Sequence, residues 1–236
     1  MIGIVIILMA SWLLLYFFRH EGLQVLGICP LRQRSTEFAV GLTFIFLLKS
    51  MFIIIDSMVY AIDWKLNPAI DYMHTSRSFL YHLRSALTED LVFRGALFYL
   101  LLQKLGMHTA ILISAVVFGM YHWVSYGVIG DGIVVLIYVL VTTGLTGYIW
   151  AFTYVKTGSV LMSFGFHAGW NFFNTLFYDS EPYGNLLFLD STRRSLSGTY
   201  GTLYAIFIGI APAIFTLIFV KWWVKFKSIS EEESPM

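Results

Sequence analysis

Residues Thr88–Gln103 read TEDLVFRGALFYLLLQ. Two adjacent carboxylates, Glu89 and Asp90, and one guanidinium, Arg94, stand at the head of an otherwise apolar run. Whether that run faces water or hydrocarbon decides the fold, and the rest of the chain answers. Of 236 residues, 58% are hydrophobic and 12% charged, and the mean hydropathy is +0.75. An ordinary soluble domain is about 25% charged, so this chain lies far outside that class. A bilayer-crossing helix needs about 20 mainly apolar residues, and such runs recur here. Open strands and lipid-exposed loops leave backbone groups unsatisfied in hydrocarbon, which makes helices the physical default. The expected fold is an all-α, polytopic transmembrane bundle.

Seven spans are predicted: residues 2–18, Phe38–Ile62, Ser78–Gln103, Met107–Val124, Ile133–Thr153, Ser159–Phe177 and Thr199–Val224. The first, IGIVIILMASWLLLYFF, has no basic stretch before it and Arg19 directly after it, so it reads as a span rather than a cleavable leader. The fourth and sixth are polar enough to need protein neighbours. Pro30, Pro68 and Pro182 fall in connections, where proline does least damage, and the SEEESPM tail reads as a short solvated end. No internal repeat or linker is visible, which predicts one domain over 1–236. A single cysteine, Cys29, excludes an intramolecular disulfide framework. A net charge of +1 without any basic run argues against a nucleic-acid partner and leaves membrane lipids as the surroundings.

Basic residues in short loops set sidedness. Arg19, Arg32, Arg34, Lys104, Lys156, Lys221, Lys225 and Lys227 collect on one side. Lys65, Arg77, Arg193 and Arg194 share the other with Asp63, Asp71, Asp131, Asp179, Glu181 and Asp190. The bias predicts the N-terminus outside and the C-terminus in the cytoplasm.

Charges inside spans are expensive, roughly 2.5–3.5 kcal/mol each at the bilayer centre on insertion scales, and are paired or functional. Asp90 and Arg94 are four apart, hence on one helical face and placed to pair. Glu89 lies about 100° round the helix from Asp90 and is left over. Two other spans supply groups that could use it. FGMYHW puts Phe118 and His122 on one face, and SFGFHAGWNFF does the same for His167 and Asn171. Gly165 and Gly169 form a small-xxx-small pair about 200° from His167, so the glycine face can pack while the His/Asn face lines a cavity. Taken singly, His122 reads as an interfacial residue and Asn171 as interhelical glue. A carboxylate, two imidazoles and an amide together are the parts that activate water and stabilise an oxyanion. Elsewhere, Lys49 and Asp56 share a face of the second span, where Lys49 either snorkels, meets an acid on another helix or lines the cavity.

These segments resemble the three motifs of the CAAX-protease and bacteriocin-processing (Abi) family of intramembrane glutamate endopeptidases. EExxxR is matched by Glu89, Asp90 and Arg94, with Asp for the second Glu; FxxxH by Phe118 and His122; HxxxN by His167 and Asn171. The resemblance covers about residues 76–178. It implies that Glu89 and His122 activate water, that His167 and Asn171 form the oxyanion hole, and that Asp90 and Arg94, with Phe118, orient the site. It implies no cofactor, a peptide or prenylated-peptide substrate, and a bacterial cell membrane as the location. The shorter Asp90 puts the supporting geometry in question more than the attacking water. Three alternatives stay open: an inactive family member serving as immunity factor or scaffold, a proton-relaying transporter element, and a zinc protease using Glu89, His122 and His167 as ligands. Substrate identity and oligomeric state are not legible.

Overall fold

In the computed structural model, which describes residues 2–180 and 182–232, the predicted third span is broken at Gly95. Helix α3 (Tyr72–Arg94) stops there and α4 (Ala96–Leu105) starts afresh. Gly95 has φ −88° and ψ −140°, and a Cβ at this position would lie 2.1 Å from the Leu91 carbonyl oxygen. Only glycine fits so close a return of the chain. Ser78–Gln103 is therefore two helices, and the charged half belongs to a helix that begins well before Ser78. Asp71 caps that helix, accepting from the backbone of Met73 at 2.8 Å and His74 at 3.2 Å.

The remaining helices are α1 (Ile2–Arg19), α2 (Leu31–Tyr60), α5 (Met107–Ser125), α6 (Ile133–Thr157), α7 (Leu161–Phe177) and α8 (Gly198–Glu232). A small antiparallel ladder was not legible in the pattern: β1 (Asp63–Leu66) pairs with β2 (Phe188–Thr192), Trp64 opposite Asp190 and Leu66 opposite Phe188. It joins the two connections expected to share a side of the membrane. At the opposite end, Arg34 reaches Glu37 at 2.8 Å and the Thr157 carbonyl at 2.9 Å, and Lys227 reaches Glu37 at 3.1 Å. Glu181 and the last four residues of the tail lie outside the described residues.

Among the described residues five helices are long and apolar enough to cross a membrane: α1, α2 with the turn before it, α5, α6 and α8. The fourth predicted span, α5, is among them; it is the least apolar of the five and the most buried. Of those that fall short, α3 and α7 carry the first and third motifs, while the second lies on α5. Helix α3 holds Arg77, Arg84, Glu89, Asp90 and Arg94, and α7 has 17 residues. Both are lodged among the apolar helices. Helix α7 packs on α2 at backbone distance, since a Cβ on Gly165 would lie 2.4 Å from the Phe38 carbonyl oxygen and one on Gly41 2.5 Å from that of Met162. Small residues at a helix crossing allow that approach in a bilayer, where close packing replaces the hydrophobic drive. The apolar core between α2, α5, α6, α7 and α8 includes Ile45, Phe52, Phe166 and, next to the motif residues, Phe118 and Trp150.

Candidate active site

The i,i+4 spacing in α3 produces the pair it predicts. Arg94 Nη1 donates to Asp90 Oδ1 at 3.0 Å, and the two side chains are 0% and 1% exposed. The same oxygen accepts from His167 Nδ1 at 3.2 Å. Asp90, though one methylene shorter than glutamate, thus reaches both a cation and a histidine. The Arg94 guanidinium lies 4.1 Å over the Phe118 ring and 5.0 Å from that of Trp150, a desolvated cation–π setting. Helix α6 makes room for it with a glycine: a Cβ on Gly147 would stand 3.2 Å from Arg94 Nη2 and 2.8 Å from Phe118 Cδ1.

The hydrogen bonds fix which nitrogen of each histidine is free. His122 Nδ1 lies 2.7 Å from the Phe118 carbonyl oxygen, which can only accept, so Nδ1 carries the proton and Nε2 of the neutral ring offers a lone pair. His167 Nδ1 donates to the Asp90 carboxylate in the same way. Its Nε2 is consequently an acceptor in the neutral ring and a donor only in the imidazolium. The ring is clamped by Trp150, stacked at 4.3 Å with an interplanar angle of 29°. His122 is held edge-on by Phe118 at 4.4 Å and by Tyr126 at 4.9 Å.

His122, His167 and Asn171 line one cavity of about 240 Å³ between α5, α6, α7 and α8. Phe118, Trp150 and Trp170 form its aromatic wall; Pro212 and Thr216 of α8 close the far side. Thr142, Thr143 and Thr146 also face it, but each hydroxyl donates to its own helix, to Tyr138, Val139 and Thr142 respectively. Asn171 makes no such local bond, and its amide has no hydrogen-bond partner among the described residues.

Glu89 approaches from α3. Its Oε2 lies 3.7 Å from His167 Nε2, longer than a hydrogen bond, and is buried without a hydrogen-bond partner. The carboxylate therefore meets His167; among the described residues it makes no hydrogen bond or ion pair with His122. His167 is the residue that joins the site, with Asp90 at one nitrogen and Glu89 at the other. Also among the described residues, no group of three or more His, Cys, Asp or Glu side chains is arranged to hold a metal ion.

Trp150, Tyr126 and Gly147 were not singled out by spacing. Trp150 sits mid-span in the run GYIWAF, three residues after Gly147. An aromatic that deep in a span, preceded by small residues, was the available signal. Lys49, placed on α2 by its charge alone, is buried with its Nζ 4.3 Å over the Trp170 ring. It neither snorkels nor pairs directly with Asp56, whose carboxylate accepts from the hydroxyls of Tyr178 and Tyr204.

The fold is an integral-membrane helical bundle. Residues 73–173 match the family described as Type II CAAX prenyl endopeptidase Rce1-like. That segment, α3 through most of α7, contains all three motifs, so the resemblance carried by the motifs and the family match coincide. No curated protein and no solved structure matched the chain.

Proposed function

We propose that this protein is an intramembrane endopeptidase that cuts a peptide or prenylated tail beside the membrane, with Glu89 as the base. The observation that carries the reading is the assembly around His167. Glu89 and Asp90, neighbours on α3, approach opposite nitrogens of one imidazole, whose cavity also holds His122 and an uncommitted amide at Asn171.

The protons follow from the hydrogen bonds. Water is held by the His122 Nε2 lone pair and loses a proton to Glu89 as its oxygen attacks the scissile carbonyl carbon. The oxyanion that forms is met by the Asn171 amide and by His167 Nε2–H. Because Asp90 occupies Nδ1–H, His167 supplies that second donor only as the imidazolium, poised between two carboxylates. Glu89 then gives its proton to the departing amine as the C–N bond breaks. Asp90 and Arg94 fix His167 and do not touch the substrate. Asp90's double contact supports an active enzyme over an inactive relative: the one departure from the family motif still makes the bonds the site needs. We further propose, from the distribution of basic residues in the short loops, that the N-terminus lies outside and the C-terminus in the cytoplasm.

The test is to compare peptide termini in membranes that carry the wild-type protein or Glu89→Gln. Termini present only with the wild type are expected, and identical sets of termini would remove the proposal.

A further inference from the structure

Helix α8 carries a proline, Pro212, in its interior. Proline has no N–H, so the carbonyl four residues earlier, that of Ile208, loses the partner an α-helix would give it. Inside a bilayer such a carbonyl needs another donor, from a neighbouring helix, a hydroxyl or water. The side chains around it do not meet that need. Thr216 donates to the Pro212 carbonyl at 2.8 Å. On the facing helix α6, the Tyr138 hydroxyl donates to the Ala205 carbonyl at 3.0 Å, and Thr142, Thr143 and Thr146 donate within α6 itself. Among the described residues no side-chain donor reaches Ile208.

That acceptor faces the catalytic cavity. Ile208, Gly209, Pro212, Ala213 and Thr216 share one face of α8, and all five line the cavity. The helical bond that Pro212 forgoes would run between two of them, so the carbonyl lies on the same face. His167 and Asn171 line the cavity from α7. A trans peptide unit points its C=O and its N–H in opposite directions. A substrate whose scissile carbonyl oxygen sits between Asn171 and His167 therefore turns the N–H of that unit towards α8. In an extended chain successive residues alternate sides, so the N–H groups two residues away face the same wall.

We propose that the Ile208 carbonyl accepts a backbone N–H of the substrate, and that Pro212 is a positioning residue that keeps this acceptor free of its own helix. The inference rests on the endopeptidase reading and adds how the peptide is gripped. Its main chain is held from two sides: Asn171 and His167 on α7 donate to a carbonyl, and Ile208 on α8 accepts from an N–H. Such a grip reads the backbone rather than the side chains of the substrate, and the hydroxyls of α6 do not compete for it.

The experiment replaces the N–H groups of the substrate one at a time. Protein carrying Glu89→Gln, in lipid nanodiscs, is titrated with a fluorescently labelled apolar peptide that holds one prenylated cysteine. The same peptide is then made with each backbone amide in turn changed to an ester, which removes the N–H without adding bulk. One ester, or two esters two residues apart, should weaken binding about tenfold, the order expected for a hydrogen bond to a buried carbonyl. Pro212→Ala gives Ile208 its helical N–H back, and there the sensitive ester and its amide should bind equally. Pro212→Val restores the same N–H with a different side chain and should repeat that result. The cut made by protein with Glu89 intact should place the sensitive N–H in the scissile amide or two residues from it. Binding that no ester weakens overturns the proposal, whether or not the Pro212 variants fold. A preference that survives in folded Pro212→Ala also overturns it, because the N–H then meets another acceptor, and so does a sensitive position one residue from the scissile amide. Cleavage of a peptide indifferent to ester replacement removes this inference alone. Binding without any cleavage removes the endopeptidase reading and leaves the ester result standing.

Discussion

Removing Arg94 probes architecture and chemistry at once. In Arg94→Ala the Asp90 carboxylate, 1% exposed, keeps only its bond to His167 and is left buried without its cation. Breaking a buried ion pair by deleting one partner costs about 3–5 kcal/mol. The guanidinium's packing over Phe118 and Trp150 is lost as well, and the space it filled beside Gly147 is left behind. For a chain of this size about 2–4 °C of melting temperature goes with each kcal/mol, so a fall on the order of 10 °C is expected. Activity should be lost too, because an Asp90 freed from Arg94 no longer fixes the His167 ring. The double variant Asp90→Asn/Arg94→Met removes both charges and should regain most of the stability while staying inactive, since neutralising a buried pair is far cheaper than halving it. Melting curves in one detergent at one scan rate, beside a cleavage assay, measure both effects. Wild-type melting of Arg94→Ala would refute the anchoring role, and full activity of the double variant would refute the positioning of His167 by Asp90.

Other consequences follow from the same geometry. Glu89→Gln should abolish cleavage while melting like wild type, because Glu89 Oε2 has no structural bond to lose; a large loss of stability would make it an architectural residue. Asn171→Ala should lower kcat about 100–1,000-fold with little change in KM, as for loss of one oxyanion donor, and a raised KM with normal kcat would make it a substrate contact. Exhaustive chelation should leave cleavage intact and purified protein should hold no stoichiometric zinc; activity lost to a chelator and restored by zinc would make Glu89 a ligand. Gly147→Ala should impair both stability and activity, because its Cβ would press on Phe118 and Arg94, and a silent substitution there would contradict the tight packing behind the site.

The sequence was most informative where one physical rule acts alone. Apolar length located the helices, and the i,i+4 rule located the Asp90–Arg94 pair and the Gly165 packing face. It failed where two rules compete. Hydrophobicity ran on through Gly95, but a backbone return that admits no Cβ divides the segment there. The ladder between Asp63–Leu66 and Phe188–Thr192 joins strands more than a hundred residues apart, and neither is long enough to show a period. Within the site, helical faces grouped His167 with Asn171 but could not say that Glu89 would meet His167. That depends on how α3 seats against α7, which no spacing encodes. The tautomers were beyond reach for the same reason, since they are set by the Phe118 carbonyl and Asp90.

The central claim is that Glu89 drives hydrolysis in this cavity. The most direct measurement places purified protein in proteoliposomes with prenylated and unprenylated peptides, and reads the products by mass spectrometry for the wild type and for Glu89→Gln. One defined cut by the wild type, and none by Glu89→Gln, is the predicted result. The same cut at the same rate by both proteins would contradict the account.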